Sequence, residues 1–558
     1  MKPLYDTIAA YSHRVAAPFH MPGHKLGKGF IPKSLFADPA RFDLTELAST
    51  DDLHDPRGPL LAAQTLAAEA FGAGKTWFLV NGSTSGIHAM VTANCAPGQK
   101  LIAVRNFHSS AFNAMRLARA KPVYVYPSAF PGSYPQASGD DVERAIAAHP
   151  DAAALYITRP DYFGNACILE PIVAAAHSHG MPVLVDEAHG AHFAFSSKLP
   201  ASAMQAGADF CVQSAHKTLP AFTQGAYAHA SAHALRAMPE RAQRFEMALR
   251  ALQTSSPSFL VLSSLDYARE YMQAYGARKL DGLAASCAAL CKRASEAGYA
   301  VPPGATEAAH AIQPGSSEAG HGERNGVAQA QRDFTRLVIG VAPLGLGGPE
   351  VERMLAQEYA VVAEMSDDAH VVFISTVADS DADFELLGSA LESVADRAAR
   401  REATIANREK APPCPTAVKT LCPAAATAPC ASEGAGAGAR ARRTPLAPEA
   451  AAQLDFMEWL HSGREWATLE SAAKAGRIAA ELVTPYPPGV PLLCPGERVT
   501  PETAARLESL LRAGVHVKGL RPGRIDGTGG RQPASASAAL LPVAPRLSGN
   551  TAWTCGGQ

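Results

Sequence analysis

The chain has 558 residues, 47% of them hydrophobic and 18% charged, with a formal net charge of −2. That length permits several domains around a large core, and the near-neutral balance offers no attraction to nucleic acid or to an anionic membrane surface. No apolar run approaches the ~20 residues of a membrane span, Met1-Lys2-Pro3-Leu4-Tyr5-Asp6 has no signal-peptide core, and the ten cysteines are scattered without zinc spacing. A cytoplasmic protein with no metal site is therefore expected.

In chain order, the first informative element is the strand-like run Thr76-Trp77-Phe78-Leu79-Val80. It leads into Asn81-Gly82-Ser83-Thr84-Ser85-Gly86 and a helical run from Ile87. A strand, a Gly/Ser/Thr turn and a helix start aim backbone N–H groups, hydroxyls and the helix dipole at one point, which suits a phosphate. An ordinary N-capped turn explains the same residues. The loop has neither the Gly-Lys-Ser/Thr ending of a nucleotide loop nor the Gly-x-Gly-x-x-Gly of a dinucleotide site.

Further β-rich runs follow at Leu101–Val104, Val123–Tyr126, Ala153–Thr158, Val183–Asp186, Phe210–Gln213 and Gly225–His229, alternating with helical ones. This alternation predicts an α/β fold, a mostly parallel sheet with helices on both faces and its chemistry at the carboxyl ends of the strands. Asp186 closes one such run, and Ser214-Ala215-His216-Lys217 follows another. A lysine flanked by Ser and His reads as an amine prepared for a phosphorylated aldehyde. A strand-end aspartate reads as the partner of a pyridinium nitrogen. Together they are the two anchors that pyridoxal 5′-phosphate requires.

Pattern shifts divide the chain into a cofactor-binding major domain with an N-terminal arm (1–283) and a smaller α/β domain (284–400). The smaller domain opens on a helix at Ala284–Glu296, has strands at Thr335–Gly340 and His370–Thr376, and carries a Gly/Pro/Ser-rich loop insertion at 302–331. Residues 401–450, with Ala-Pro repeats and the basic run Arg440-Ala441-Arg442-Arg443, read as a disordered linker, because such a composition cannot offset its ordering entropy. A C-terminal domain is expected over 451–520, and a disordered tail over 521–558.

Many separate blocks occur here in one order. They run from Phe19-His20-Met21-Pro22-Gly23-His24-Lys25 and Asp51-Asp52-Leu53-His54, through Arg105-Asn106-Phe107-His108, Asp186-Glu187-Ala188-His189-Gly190-Ala191-His192 and the Lys217 segment, to Thr254-Ser255-Ser256-Pro257-Ser258. Pro485-Tyr486-Pro487-Pro488-Gly489-Val490-Pro491 and Pro495-Gly496-Glu497 come last. Over roughly 1–400 and 451–520 the chain resembles the Orn/Lys/Arg decarboxylases of PLP fold type I, in the short form without an N-terminal wing domain.

The resemblance implies that Lys217 holds the cofactor as a Schiff base and that Asp186 keeps its ring nitrogen protonated. It places Ala188 under the ring, His108 stacked on the opposite face, and His189 near the phenolate or the substrate carboxylate. Ser83, Thr84, Ser214 and His216 become the phosphate ligands, with His216 alternatively delivering a proton to carbon. The family's usual lysine after His108 is replaced by Ser109. Ser255 or Ser256 would reach a neighbouring subunit's site, since such sites form in a homodimer or larger homo-oligomer.

The expected reaction is α-decarboxylation of a basic amino acid, arginine first, with lysine or ornithine as alternatives. Glu46, Asp51, Asp52, Glu364 and Glu497 are the candidate acids for its side chain, each equally readable as a structural ion-pair partner. Two other readings remain. A fold-type-I aminotransferase would need an arginine for the substrate carboxylate on a late strand, where Phe373 is expected to stand instead. A non-catalytic homologue would have no need of Lys217, Asp186 and the phosphate loop together.

Overall fold

The computed structural model describes residues 11, 14–30, 39, 43–47, 49–126, 139–307, 331–410, 465–486, 489–512, 514–521 and 539–543. Its centre is a seven-stranded sheet. The strands are β1 (Lys75–Leu79), β2 (Lys100–Val104), β3 (Lys121–Val125), β4 (Ala154–Thr158), β5 (Val183–Asp186), β6 (Phe210–Gln213) and β7 (Ala226–Ala230). Their spatial order is β1-β7-β6-β5-β4-β2-β3, and only β7 runs antiparallel to its neighbours. These strands are short, and apart from the edge strand β3 nearly all their residues are buried, as expected where helices cover both faces.

Alternation along the strands sorts the core. Ile102, Leu155, Ile157, Val183 and Val185 point to one face with Val142, Ile146, Ile172 and Val173 of the covering helices. Leu101, Ala103, Tyr156, Leu184 and Phe210 point to the other, against Ile87, Met90, Met115 and Phe245. A strand period of two places successive side chains on opposite faces, so both layers come from the same short runs.

The smaller domain pairs β8 (Arg336–Gly340) antiparallel with β9 (His370–Ile374), flanked by helices Ala277–Glu296, Gly348–Glu358 and Asp381–Lys410. Three boundaries expected from sequence need correction here. The helix expected to open at Ala284 begins at Ala277, so 283/284 falls inside it. The N-terminal arm belongs to the smaller domain as much as to the larger, because Ala17–Phe19 pairs in parallel with Val361–Ala363. Gln331–Arg332, the end of the expected insertion, is a strand against Asn165–Ala166; residues 308–330 lie outside the described residues.

The linker and tail also differ from expectation. Helix Asp381–Lys410 runs ten residues into the segment read as disordered. Arg400-Arg401-Glu402-Ala403 is rich in good helix formers, and the helix extends before the proline-rich composition begins; residues 411–464 lie outside the described residues. In the tail, β11 (Leu540–Val543) pairs antiparallel with β10 (Glu465–Thr468). Leu541 and Val543 are fully buried in the C-terminal domain's core with Leu469, Val483 and Leu507. An average over a Gly/Ser/Pro-rich stretch hid the local run Leu540-Leu541-Pro542-Val543. Burying each of those two side chains contributes about 1.5–3 kcal/mol.

Two charged contacts fix the C-terminal domain on the rest. The Arg105 guanidinium forks onto Glu497, with Nε–Oε1 and Nη2–Oε2 both at 2.9 Å, while Nη1 donates to the Pro491 carbonyl at 3.0 Å. Asp368 accepts from Arg506 Nη1 at 2.8 Å and Ser509 Oγ at 2.7 Å. Among the described residues no helix is long and apolar enough to cross a membrane.

Candidate active site

The carboxyl ends of the parallel strands bring the predicted residues together. Asp186 ends β5 and is almost wholly buried. Its Oδ2 accepts from the Tyr156 hydroxyl and its Oδ1 from the Ala188 amide, both at 3.1 Å. Burial raises this carboxyl's pKa, opposed by the nearby Lys217 ammonium and these two donors. A cationic partner would find the carboxylate already aimed and desolvated. The neighbouring Glu187 points the other way, where Arg159 (3.2 Å), Gln213 (2.7 Å) and the Ala203 amide (2.9 Å) hold it.

Lys217 lies in the single helical turn Ala215–Thr218 after β6. That turn is pinned by the N-terminal arm: the Gly23 amide donates to the His216 carbonyl at 2.7 Å. A Cβ at Gly23 would come within 2.7 Å of the Leu219 carbonyl oxygen, so only glycine permits the approach. Burial lowers the Lys217 pKa to about 8, with Asp186 and Glu364 opposing and Arg336 assisting.

Helix Gly82–Asn94 starts beside this turn, and Ser214 Oγ donates to Ser83 Oγ at 2.8 Å. Thr84, in the helix's first turn, has its side chain exposed. His216 Nδ1 faces the Gly225 carbonyl at 3.0 Å and must donate to it, so neutral His216 presents a lone pair at Nε2. Burial lowers its pKa to about 4. Ser255 and Ser256 are exposed, and the adjacent Thr254 amide bonds Asn81 Oδ1 at 3.0 Å.

His108 follows β2 and caps the next helix, its Nδ1 accepting from the Ser110 amide at 3.2 Å. Burial, then the charges of Lys217 and Lys518, bring its pKa to about 4. The C-terminal domain reaches it directly. A Cβ at Gly489 would lie 2.7 Å from the imidazole, and the Ser109 amide donates to the Gly489 carbonyl at 3.0 Å.

His189 faces Lys217, with Nε2 3.0 Å from Nζ. Its Nδ1 lies 3.0 Å from Nη2 of Arg336, the first residue of β8. Tyr162 sets its ring edge-on to His189, 4.9 Å between centroids, and donates its hydroxyl to Glu364, which also accepts from the Met21 amide at 2.9 Å.

Arg336 and Tyr162 were not identified from sequence. No motif marks a lone arginine at the start of a strand, and its approach depends on His192 bonding Asp333 at 3.1 Å and Thr335 at 3.2 Å. Phe373 does not stand at the site: it is buried, edge-on to Phe19 at 6.0 Å, and pairs with Leu337 one step from Arg336. The reading of Phe373 as a replaced carboxylate arginine is therefore withdrawn.

The candidate acids separate clearly. Glu497 is committed to Arg105 and to the Cys494 amide at 2.8 Å. Asp51 accepts from the amides of Arg57, Gly58 and Leu60 at the start of helix Pro59–Phe71. Asp52 holds the His54 amide at 2.7 Å, and Glu46 takes the exposed Thr45 hydroxyl. Glu364 alone of the five acts electrostatically on Lys217.

The donor set fits pyridoxal phosphate: a desolvated carboxylate at a strand end, an amine with a lowered pKa, paired hydroxyls at a helix start and the half-buried His108 imidazole near the amine. The family described as Orn/Lys/Arg decarboxylase, major domain, matches residues 2–383, and its C-terminal domain matches 442–530. The chain belongs to the Orn/Lys/Arg decarboxylase family. Among its relatives, the arginine decarboxylase of Bacillus subtilis (strain 168) is 33% identical, over 93% of this chain and 95% of its own length. That of Halalkalibacterium halodurans is likewise 33% identical, over 93% and 95%. The lysine decarboxylase LdcF of Francisella novicida superposes with a TM-score of 0.67 at 17% identity, over 96% of this chain and 80% of that one. Membership in this decarboxylase family leaves the aminotransferase and non-catalytic readings without support.

Proposed function

We propose that this PLP-dependent decarboxylase removes the α-carboxylate of arginine, giving agmatine and CO₂. The observation that carries the reading is a lowered-pKa Lys217 beside a buried Asp186, in a chain a third identical over nearly its whole length to arginine decarboxylases. Lys217 would hold the cofactor through its amine, Asp186 its ring nitrogen, and Ser83, Thr84 and Ser214 its phosphate. His108 and Ala188 would enclose its ring. When bound, the cofactor supplies a conjugated cationic ring that accepts the electron pair left on Cα as CO₂ departs.

The remaining work falls to the protein. Burial brings the Lys217 pKa to about 8, so a far larger share of its amine is uncharged and able to attack near neutral pH than for a solvated lysine with its pKa near 10.4. Asp186 would offset the positive charge of a bound ring by a charge-assisted contact. His189 stands within hydrogen-bond distance of the Lys217 nitrogen and orients it. His216, neutral with its Nδ1 proton committed to Gly225, has an acceptor rather than a donor at Nε2, and so has no proton there to give either a phosphate oxygen or the substrate carbon. Glu364, behind Tyr162, is the remaining acid for a basic substrate side chain.

The test is to supply the PLP-loaded enzyme with arginine, lysine or ornithine, measure CO₂ and identify the amine. Agmatine as the dominant product supports the reading. Cadaverine or putrescine would reassign the substrate, and glutamate from added 2-oxoglutarate without CO₂ would replace the reaction.

A further inference from the structure

We propose that Arg336 is a positioning residue that fixes the proton of His189 on Nε2 and thereby favours the uncharged, hydrogen-bond-accepting amine of Lys217 over its ammonium. The inference deepens the decarboxylase reading, and it follows from two distances and the donor inventory of the three side chains.

A guanidinium has N–H groups only, so the 3.0 Å contact from Arg336 Nη2 obliges His189 Nδ1 to accept. A neutral imidazole with a lone pair on Nδ1 carries its proton on Nε2. That Nε2–H points at Lys217 Nζ, 3.0 Å away. An ammonium there would set donor against donor; a free amine accepts. The imidazole is itself kept neutral, since burial first, then Lys217, Arg336, His108 and His216, lower its pKa well below the usual value. Three groups in line thus favour the free amine and lower the pH at which the lysine takes up a proton.

Other groups around the pair do not supply this constraint. Tyr162 meets His189 through its ring edge and gives its hydroxyl to Glu364. Asp186 and Glu364 are negative and favour the ammonium, opposing the effect. His108 and His216 each have Nδ1 committed elsewhere.

Arg336 is 2% exposed, and its Nε and Nη1 have no hydrogen-bond partner in the protein. An arginine chosen for stability would not leave two buried donors unmade, each costing about 1–3 kcal/mol. The neighbouring Asp333, bonded to Thr335 and His192, offers electrostatic compensation and holds the strand start in place.

The experiment uses cofactor-free enzyme and needs no amino-acid substrate, so it is independent of whether arginine is decarboxylated. Acetylation of Lys217 by acetic anhydride is followed against pH by peptide mass spectrometry, with the Tm of each variant recorded. Wild type should show a midpoint near pH 8. R336M should move it upward by about one pH unit or more, while R336K, which can still donate to Nδ1, should restore it. In an H189F background, the R336M shift should shrink to the part due to direct repulsion between the two charges, because the rest acts through the imidazole.

An unchanged R336M midpoint overturns the proposal. So does an undiminished R336M shift in the H189F background, which would mean bare charge repulsion. If R336M does not fold, R336K and the H189F pair decide: the proposal requires a wild-type midpoint from R336K and a raised one from H189F.

Discussion

Asp186 ends β5, Ser214 follows the neighbouring β6, and Ser83 opens the helix after β1 on the same side of the sheet, where it meets Ser214. Arg336, Tyr162 and Gly489 reach the same pocket from a small-domain strand, a loop and the C-terminal domain. The strand-end wall supplies the groups that would hold a cofactor. The opposing wall sets the protonation and orientation of those groups. The first is built by local sequence and the second by how segments far apart in the chain approach one another.

The strand-end wall should respond most strongly to substitution. K217A is expected to abolish decarboxylation, and borohydride reduction of the loaded wild type should place the pyridoxyl label on Lys217; label on another lysine would reassign the anchor. D186N keeps the shape and loses the charge. Removing one partner of a buried ion pair costs about 3–5 kcal/mol, so kcat should fall at least a hundredfold, with the cofactor's absorbance moved toward the unprotonated ring. A D186N enzyme of normal rate would detach Asp186 from the ring nitrogen.

The opposing wall should fail through stability first. L541A opens a cavity in the C-terminal core and should cost about 2–5 kcal/mol, read as a lower Tm and a loosened hold of Gly489 on His108. An unchanged Tm would mean that β11 is not docked in solution. The smallest effect is expected from S214A. It removes one hydroxyl from a cradle that also offers Ser83 and the helix start, so PLP should dissociate about tenfold more readily, a net hydrogen bond's worth. A loss as large as that of D186N would collapse the distinction between anchor and cradle.

The two walls also differ in how far the chain revealed them in advance. Asp186, Ser83, Ser214 and Lys217 were legible because each sits at a strand end or helix start, where residue type and backbone direction are coupled over a few positions. Arg336 was not, because its significance lies in a contact with His189 across 147 residues. Phe373 misled for a related reason. A one-step choice of strand and register separates a core side chain from a site one, and the antiparallel pairing of β8 with β9 puts the arginine beside Ile374 instead. The tail strand was lost to averaging: four apolar residues with a partner at Glu465–Thr468 outweigh the composition around them.

Gly489 has a consequence for how such an enzyme can vary. Its φ of +85° and its approach to His108 leave no room for a side chain at that position. Gly489 and the segment after β2 thus form one steric unit, contributed by parts of the chain hundreds of residues apart. A chimaera that takes its C-terminal domain from a relative with a differently shaped turn should bring two surfaces together at this imidazole that have never fitted each other. Recombination between family members would therefore be tolerated only where the turn and its histidine are inherited together.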